Sequence, residues 1–417
     1  MEKVITVGIK LPGAKSKEIY ESIQELSRLV NTAGGEVIQT IIQSRKKYDP
    51  AYLIGKGKAL EIKDICKKEN IRAVVFDENL TPAQQRNLEE LIDAKIIDRT
   101  RLILDIFAGR AKTSEAELQV ELAQIKYFLP RLNQHGIWLD NQVGGIGTRG
   151  PGERKLEYDR RRLRDRISHL NSEIEKIRKH REIQRSKRQS MRIPMIALVG
   201  YTNVGKSTLF NKIVAENAVY ADDKLFATLD PTTRRIKLPS GSIALLTDTV
   251  GFIRKLPTEL VASFRATLEV ILEAKCIIHI IDITSPDYKT QEKIVLDTLR
   301  QLGADRIPII RVFNKIDLLP GYLFKQKKQF SQNTTIKISA KTGEGLDELL
   351  NKVEKVLSQD KIVKTITIPY AHPELMSYVY SLGKVINQTY RSDSLKLKIE
   401  TDISNWNKIQ KQIIKTG

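Results

Sequence analysis

Met195-Ile-Ala-Leu-Val-Gly200-Tyr-Thr-Asn-Val-Gly205-Lys206-Ser207-Thr208 is an apolar run that stops at a glycine, turns through a second glycine and restarts on Lys-Ser-Thr. The apolar run has the length of a buried strand, and an amphipathic helical pattern follows from Thr208. Strand, Gly-x-x-x-x-Gly-Lys-Ser loop and helix, in that order, make a phosphate-binding loop. Its glycines let successive backbone N–H groups point at a β-phosphate, and the helix start adds a favourable dipole. The expected nucleotide contacts are Gly200, Tyr201, Thr202, Asn203, Val204, Gly205, Lys206, Ser207 and Thr208. Lys206 should bridge the β- and γ-phosphates, and the Ser207 hydroxyl should ligate Mg²⁺.

Downstream, the apolar strand Ile309–Phe313 runs into Asn314-Lys315-Ile316-Asp317. A carboxylate here accepts from N1–H and the exocyclic amine of guanine. Adenine has no such donors, so a buried Asp317 would be left unpaired against it. Ser339-Ala340-Lys341 follows a further short strand and should give a backbone N–H to the guanine carbonyl. Together these motifs select GTP over ATP.

Two switch elements fill the gap. Asp248-Thr249-Val250-Gly251 ends the strand Ile243–Thr247. There Asp248 should reach Mg²⁺ through water and the Gly251 amide should reach the γ-phosphate. Upstream lies Phe226-Ala227-Thr228-Leu229-Asp230, and Thr228 is the first candidate to complete the Mg²⁺ shell. Thr232 and Thr233 are rivals that spacing does not exclude. Lys206, Thr228 and Gly251 form the expected catalytic set. Loss of the γ-phosphate would release both loops. The residue after Gly251 is Phe252, where many small GTPases carry a water-orienting glutamine. Phenylalanine cannot do that, so the enzyme should be slow alone, use another group or be completed by a partner. Alternatively, Phe252 packs against a helix over Glu259–Ala274.

Outward from this domain the pattern changes twice. Residues 1–112 alternate strand and helix, with strands at Ile5–Ile9, Val37–Gln43, Ala73–Phe76 and Lys95–Ile97, which predicts a small, largely parallel α/β domain. Over 113–188, Leu118, Leu122, Ile125 and Leu129 form one apolar stripe. Leu156, Leu163, Ile167, Leu170, Ile174 and Ile177 form another. They predict two helices of similar length in an antiparallel hairpin joined by a glycine-rich stretch. Gln184–Arg192 has no stripe and reads as a linker. The nucleotide domain covers 193–358, and 362–417 predicts an α+β module. The fold class is therefore α/β. A P-loop GTPase domain is preceded by a small α/β domain with a long helical hairpin and followed by a small α+β domain.

The composition, 41% hydrophobic and 29% charged, is that of an ordinary globular protein, but the net charge of +20 is not. A field of that sign favours an anionic partner such as nucleic acid or an acidic membrane surface, unless it reflects only a lysine-rich solvated surface. Cys66 and Cys276 stand far apart without metal-spaced neighbours, which suggests a reducing compartment. No long apolar segment opens the chain or spans a bilayer, so a cytoplasmic protein with no integral membrane part is expected. It should act as a monomer. The five histidines form no ligand pattern, and His279 reads as a buried structural residue. Gly55-Lys-Gly57-Lys58 is glycine-rich and basic but lacks a full phosphate-loop pattern.

With these residues in hand, the chain resembles the HflX family of translation-factor-related GTPases over almost its whole length. Gly144-Gly-Ile-Gly-Thr-Arg-Gly-Pro-Gly-Glu153, followed by Leu156-Glu157, is similar to the family hallmark between the hairpin helices. Asp49-Pro-Ala-Tyr-Leu-Ile-Gly-Lys-Gly-Lys58, Asp98-Arg-Thr-Arg-Leu-Ile-Leu-Asp-Ile-Phe107 and Gln119-Val-Glu-Leu-Ala123 are similar to further family segments. Phe252 matches a subgroup with a hydrophobic residue in place of glutamine. Arg154-Lys155 departs from the family pattern and adds positive charge. The resemblance implies binding to the large ribosomal subunit in the GTP state, hydrolysis stimulated by it, and ribosome recycling or rescue under stress.

The residues agree in kind. A glycine loop at a hairpin tip permits close approach to RNA phosphates, and the arginine-dense helix behind it supplies charge. Gly144, Gly145, Gly147, Arg149, Gly150 and Arg154 are the expected rRNA contacts. The competing readings are an RNA-binding scaffold or a ribosome-assembly GTPase, in which GTP mainly controls RNA affinity. Against any RNA contact, the Arg run reads instead as a solvated helix face whose members pair with Glu157, Asp159 and Asp165.

Overall fold

The structure is a computed structural model that describes residues 1–111, 113–134, 151–190, 193–214, 232–255, 269–319, 335–358 and 361–416. The chain divides into two compact units, one of residues 1–237 with 243–346, the other of 238–242 with 347–417.

The first unit holds two parallel-type sheets. Near the N-terminus, β1 (Glu2–Lys10), β2 (Gly35–Ser44), β3 (Ala73–Phe76) and β4 (Lys95–Asp98) align in the order β2-β1-β3-β4, all parallel. Helices α1 (Ser16–Thr32), α2 (Lys56–Glu69) and α3 (Pro82–Ile92) make the crossovers, and α4 (Arg99–Ala108) follows β4 directly. β3 is buried throughout, as both faces of a helix-covered sheet must be. Thr81 caps α3 in a reciprocal capping box with Gln84, and Pro82 takes the first helical position. One apolar layer contains Ile5, Ile62, Phe76 and Leu88; the other contains Leu26, Leu29, Ile103 and Phe107.

Helix α5 (Ser114–Phe128) adds Ala116, Val120, Ala123 and Tyr127 to the second of these layers. On its predicted stripe Leu122 is buried, while Leu118, Ile125 and Leu129 are half-buried. Pro130 ends the α-helix in a 3₁₀ turn over Leu129–Gln134. Helix α6 (Pro151–Ser190) packs on α5, and Arg166 forks onto Glu121 at 2.7 and 2.8 Å. Two expectations fail here. The helices are of unequal length, 15 against 40 residues. Gln184–Ser190 is helical rather than a linker, because Arg, Lys and Gln are good helix formers that need no apolar stripe to continue a helix. The glycine loop with Gly144, Gly145, Gly147, Arg149 and Gly150 lies outside the described residues, as does His135. Arg154 falls in α6, with its side chain outside them.

The second sheet runs β10-β9-β8-β5-β7-β6. Its strands are β5 (Met195–Gly200), β6 (Thr232–Lys237), β7 (Ile243–Asp248), β8 (Cys276–Asp282), β9 (Ile309–Asn314) and β10 (Thr335–Lys337), with β6 alone antiparallel. After β5, α7 (Lys206–Val214) leads to the β7 side, and the chain then crosses to β8 on the other side. In such sheets ligands sit beyond the carboxyl ends of the strands where the order reverses, here at Gly200.

In the second unit, β11 (Lys361–Pro369), β12 (Lys384–Tyr390) and β13 (Ser394–Asp402) form an antiparallel sheet in the order β11-β13-β12. Helix Pro373–Leu382 and helix Ile403–Thr416 bury Leu375, Val379 and Ile409 against Ile368, Leu397 and Ile399. Among the described residues no helix is long and apolar enough to cross a membrane.

Candidate nucleotide site

The six residues of β5 are buried without exception, so the strand cannot shift without breaking the core. It delivers Gly200 beside Ile280 of β8, where a Cβ would lie 2.4 Å from the Ile280 carbonyl oxygen. The loop then turns through Asn203 at φ 61° and Gly205 at φ 93°, both left-handed. Gly205 is forced by a neighbour as well, since a Cβ would fall 2.3 Å from Asn314 Nδ2.

Lys206 is buried and donates to the carbonyls of Tyr201 at 2.8 Å and Gly200 at 3.2 Å. Burial lowers its ammonium to about 8, against an opposing pull from Asp248. A desolvated cation at the mouth of an amide-lined loop suits a phosphate better than water does. Pairing of β5 with β7 sets Leu198 opposite Asp248, and Ser207 Oγ donates to Asp248 Oδ2 at 2.7 Å. A hydroxyl and a carboxylate are the hard-oxygen kind of donor that suits Mg²⁺.

Asp248-Thr249-Val250-Gly251 lies directly on the phosphate loop. Thr249 Oγ1 donates to the Leu198 carbonyl at 2.6 Å. Phe252 N–H donates to the Gly200 carbonyl at 3.1 Å and Thr202 N–H to the Phe252 carbonyl at 2.8 Å. Gly251 is so close that a Cβ would meet Lys206 Nζ and Thr202 Cα, each at 2.9 Å. Phe252 is buried in a β-bridge to Tyr201. The helix predicted over Glu259–Ala274 falls largely within residues 256–268, outside the described residues, and Glu269–Glu273 forms a 3₁₀ turn. Phe226, Ala227, Thr228, Leu229 and Asp230 also lie outside them. Of the rivals to Thr228, Thr232 stands opposite Asp248 in the β6–β7 pair, and the Thr233 hydroxyl is engaged with Thr247 at 2.9 Å.

Parallel pairing of β8 and β9 carries Asn314 alongside Asp282. Asn314 Nδ2 donates to the Val204 carbonyl at 2.7 Å, and its Oδ1 accepts the Ala340 N–H at 2.8 Å. Lys315, at φ 67°, donates to the Asn203 carbonyl at 2.8 Å and pairs with Asp282 at 2.8 Å. Ser339 Oγ donates to Asp317 Oδ1 at 2.7 Å. The guanine contact predicts a buried Asp317. It is exposed, because Ile316–Leu318 is a short 3₁₀ turn at the rim and only Ile316 of that turn is tucked in. Lys341 is likewise exposed. Asp282 was missed, since an acidic strand end carries no signal until β9 is placed next to it.

Gly55, in contrast, caps α2, where its N–H meets Gln43 Oε1 at 2.9 Å, and Lys58 pairs with Glu61. Among the described residues no group of His, Cys, Asp and Glu could hold a metal by itself. Both cysteines are buried thiols.

A phosphate loop, an Asp-x-x-Gly segment and an Asn-Lys-x-Asp turn gathered at one edge of a doubly wound sheet define a P-loop GTPase. Residues 20–108 match the family described as GTP-binding GTPase N-terminal, and 110–188 that described as GTP-binding GTPase Middle Region. Residues 195–315 match the 50S ribosome-binding GTPase description and 324–415 the HflX C-terminal domain. GTPase HflX of Caldanaerobacter subterraneus subsp. tengcongensis is 46% identical over 96% of this chain and 91% of its own. GTPase HflX of Escherichia coli K12 is 44% identical over 94% and 92%. The chain belongs to the HflX family of GTPases; it binds and hydrolyses GTP. A solved GTP-binding protein from Sulfolobus solfataricus in complex with GDP is 26% identical, with a TM-score of 0.47 over 86% of this chain and 99% of that one.

Proposed function

We propose that this GTPase docks on the large ribosomal subunit in its GTP state, is stimulated there to hydrolyse GTP, and splits or rescues stalled ribosomes in the cytoplasm as a monomer. The observation that carries the reading is the exposure of Arg161, Arg162 and Arg164 within one turn of α6. Such a cluster of exposed cations neutralises backbone phosphates of RNA without reading its sequence. The glycine loop before α6 would bring backbone amides to the same RNA. The description of residues 195–315 as a 50S ribosome-binding GTPase supports the choice of subunit.

At the nucleotide, Lys206 would hold the β- and γ-phosphate oxygens, and the amides of Asn203, Val204 and Gly205 would line the β-phosphate. Ser207 and Thr228 would ligate Mg²⁺ directly, with Asp248 behind a water. The ion would neutralise charge on the phosphates. Gly251 would donate to the γ-phosphate, and Asp317 would accept from guanine. With phenylalanine at 252, orientation of the attacking water falls to another group or to the ribosome.

The test is cosedimentation with isolated ribosomal subunits in GTP, GDP and a non-hydrolysable analogue, repeated at high salt. Binding to the large subunit should require the triphosphate, fall steeply with salt, and weaken in Arg161→Gln/Arg162→Gln/Arg164→Gln. Equal binding in every nucleotide state would overturn the switch reading in favour of an RNA-binding scaffold.

A further inference from the structure

Arg99 is fully buried in the N-terminal domain and donates through Nη1 to Asp77 at 2.6 Å and through Nη2 to Glu25 at 2.9 Å. Asp77 follows β3, and its N–H donates to the Val7 carbonyl of β1 at 2.9 Å. It therefore sits at the point where the strand order of this sheet reverses, the usual place for a ligand. Two buried carboxylates against one guanidinium leave excess negative charge, which is costly unless further donors reach it.

Ser22 Oγ reaches Asp77 at 2.7 Å from within the domain. The others come from the nucleotide site. The Tyr201 hydroxyl donates to Glu25 at 2.6 Å, and Lys255 Nζ donates to Asp77 at 2.6 Å and to Glu78 at 2.7 Å. The same Tyr201 oxygen accepts the Arg254 N–H at 2.8 Å. Arg254 pairs through its side chain with Asp287 and with Glu21 of α1. Val250 and Ile253 belong to the apolar layer built from Leu26, Ile103 and Phe107. Gly251 and Phe252 are thus flanked on both sides by residues that the N-terminal domain holds.

The charges behave accordingly. Burial pushes the Asp77 carboxyl up, but Arg99 and Lys255 outweigh it and hold it below the ordinary value. Burial, then Glu25, push the Tyr201 phenol up, so the hydroxyl remains a donor.

We propose that Tyr201 and Lys255 are positioning residues for GTP hydrolysis, through which the Glu25–Arg99–Asp77 cluster fixes Gly251 and Phe252 over the phosphate loop. This rests on the reading of Gly251 as the γ-phosphate contact. A small misplacement of such a group lowers the rate far more than it lowers ground-state binding.

The test uses the full-length protein without ribosomes, so that its failure is separable from that of the docking proposal, which cosedimentation of the same variants reads independently. The Lys255 side chain is 37% exposed, which makes substitution there tolerable. Lys255→Gln should lower kcat for GTP hydrolysis about fivefold or more with KM within about twofold, measured at a temperature below its lowered Tm. Lys255→Arg, which keeps the cation, should restore most of the rate. Tyr201→Phe should also lower kcat, and combined with Lys255→Gln should cost less than the product of the two, because both cut one link. An unchanged or higher kcat in Lys255→Gln, a loss that Lys255→Arg fails to restore, or strict multiplicativity would overturn the proposal.

Discussion

Asn314 joins the two halves of the nucleotide domain: its Nδ2 donates to the carbonyl of Val204, 110 residues earlier in the chain, at 2.7 Å. The side chain that opens the guanine turn is thereby a strut of the phosphate loop, and its Oδ1 steadies Ala340 on the other side. Asn314→Ala should therefore weaken affinity for GDP and for GMP alike, since both the loop and the base pocket lose a support. Fluorescence titration with the two nucleotides checks this; a loss confined to GDP would mean that the strut serves the phosphates alone.

Base selection should follow Asp317 instead. Its carboxylate accepts from Ser339, and the residue is exposed at the rim of the sheet. Asp317→Asn replaces an acceptor with an amide that matches the additional carbonyl of xanthine. Affinity for GDP should drop by roughly 10- to 100-fold, the worth of one charged hydrogen bond or slightly more, while that for xanthosine diphosphate rises. Competition binding decides it, and an unchanged preference would place guanine elsewhere.

Gly205 offers a paired comparison. Gly205→Ala combines a left-handed φ with a Cβ placed on Asn314 Nδ2, whereas Gly303, at φ 79°, has open space around it. Gly303→Ala should cost about 1 kcal/mol of stability and leave nucleotide binding alone. Gly205→Ala should abolish measurable binding. Thermal melts and GDP titration of both variants distinguish backbone strain from the collision.

The phosphate-loop lysine predicts a pH dependence. In the free protein Lys206 is lowered to about 8 by burial, and a bound phosphate favours its charged form. Nucleotide binding should therefore take up a proton above pH 8, and affinity should fall there by up to about tenfold per pH unit. Calorimetry at pH 8.5 in buffers of different ionisation enthalpy reads the proton directly, and Lys206→Gln should remove it.

His279 makes an acid-stability prediction. Burial, then Arg311 and Lys206, lower it to about 3, below its unfolded value, so the unfolded chain binds the extra proton as pH falls from the ordinary histidine range towards 3. The stability it contributes is present above that range and lost on acidification, by about 2 kcal/mol at pH 5. His279→Leu should gain on the parent progressively between pH 7 and 5 in urea melts. A constant difference would show that the histidine is not held neutral.

Strands and nucleotide motifs are legible because each is local: five apolar residues before Gly200, or Asn-Lys-x-Asp after Phe313, carry their meaning at fixed spacing. The length of α6 was not, since a stripe marks packing while an arginine-rich helix continues without it. Nor was the exposure of Asp317, which depends on how a short turn rides on the rim of the sheet.

By itself the sequence determined the α/β class, the Gly-x-x-x-x-Gly-Lys-Ser loop between strand and helix, the position of the Asn-Lys-x-Asp turn after its strand, and the identity of Phe252. It did so because glycine conformation, lysine charge and carboxylate acceptors act at short range. Only the tertiary structure decided that Asn314 braces Val204, that Asp282 holds Lys315, and that Tyr201 and Lys255 reach Glu25 and Asp77 across some 176 and 178 residues of chain. Those pairings arise from strand order and from the need of buried carboxylates for donors. Neither leaves a mark on the spacing of residues along the chain.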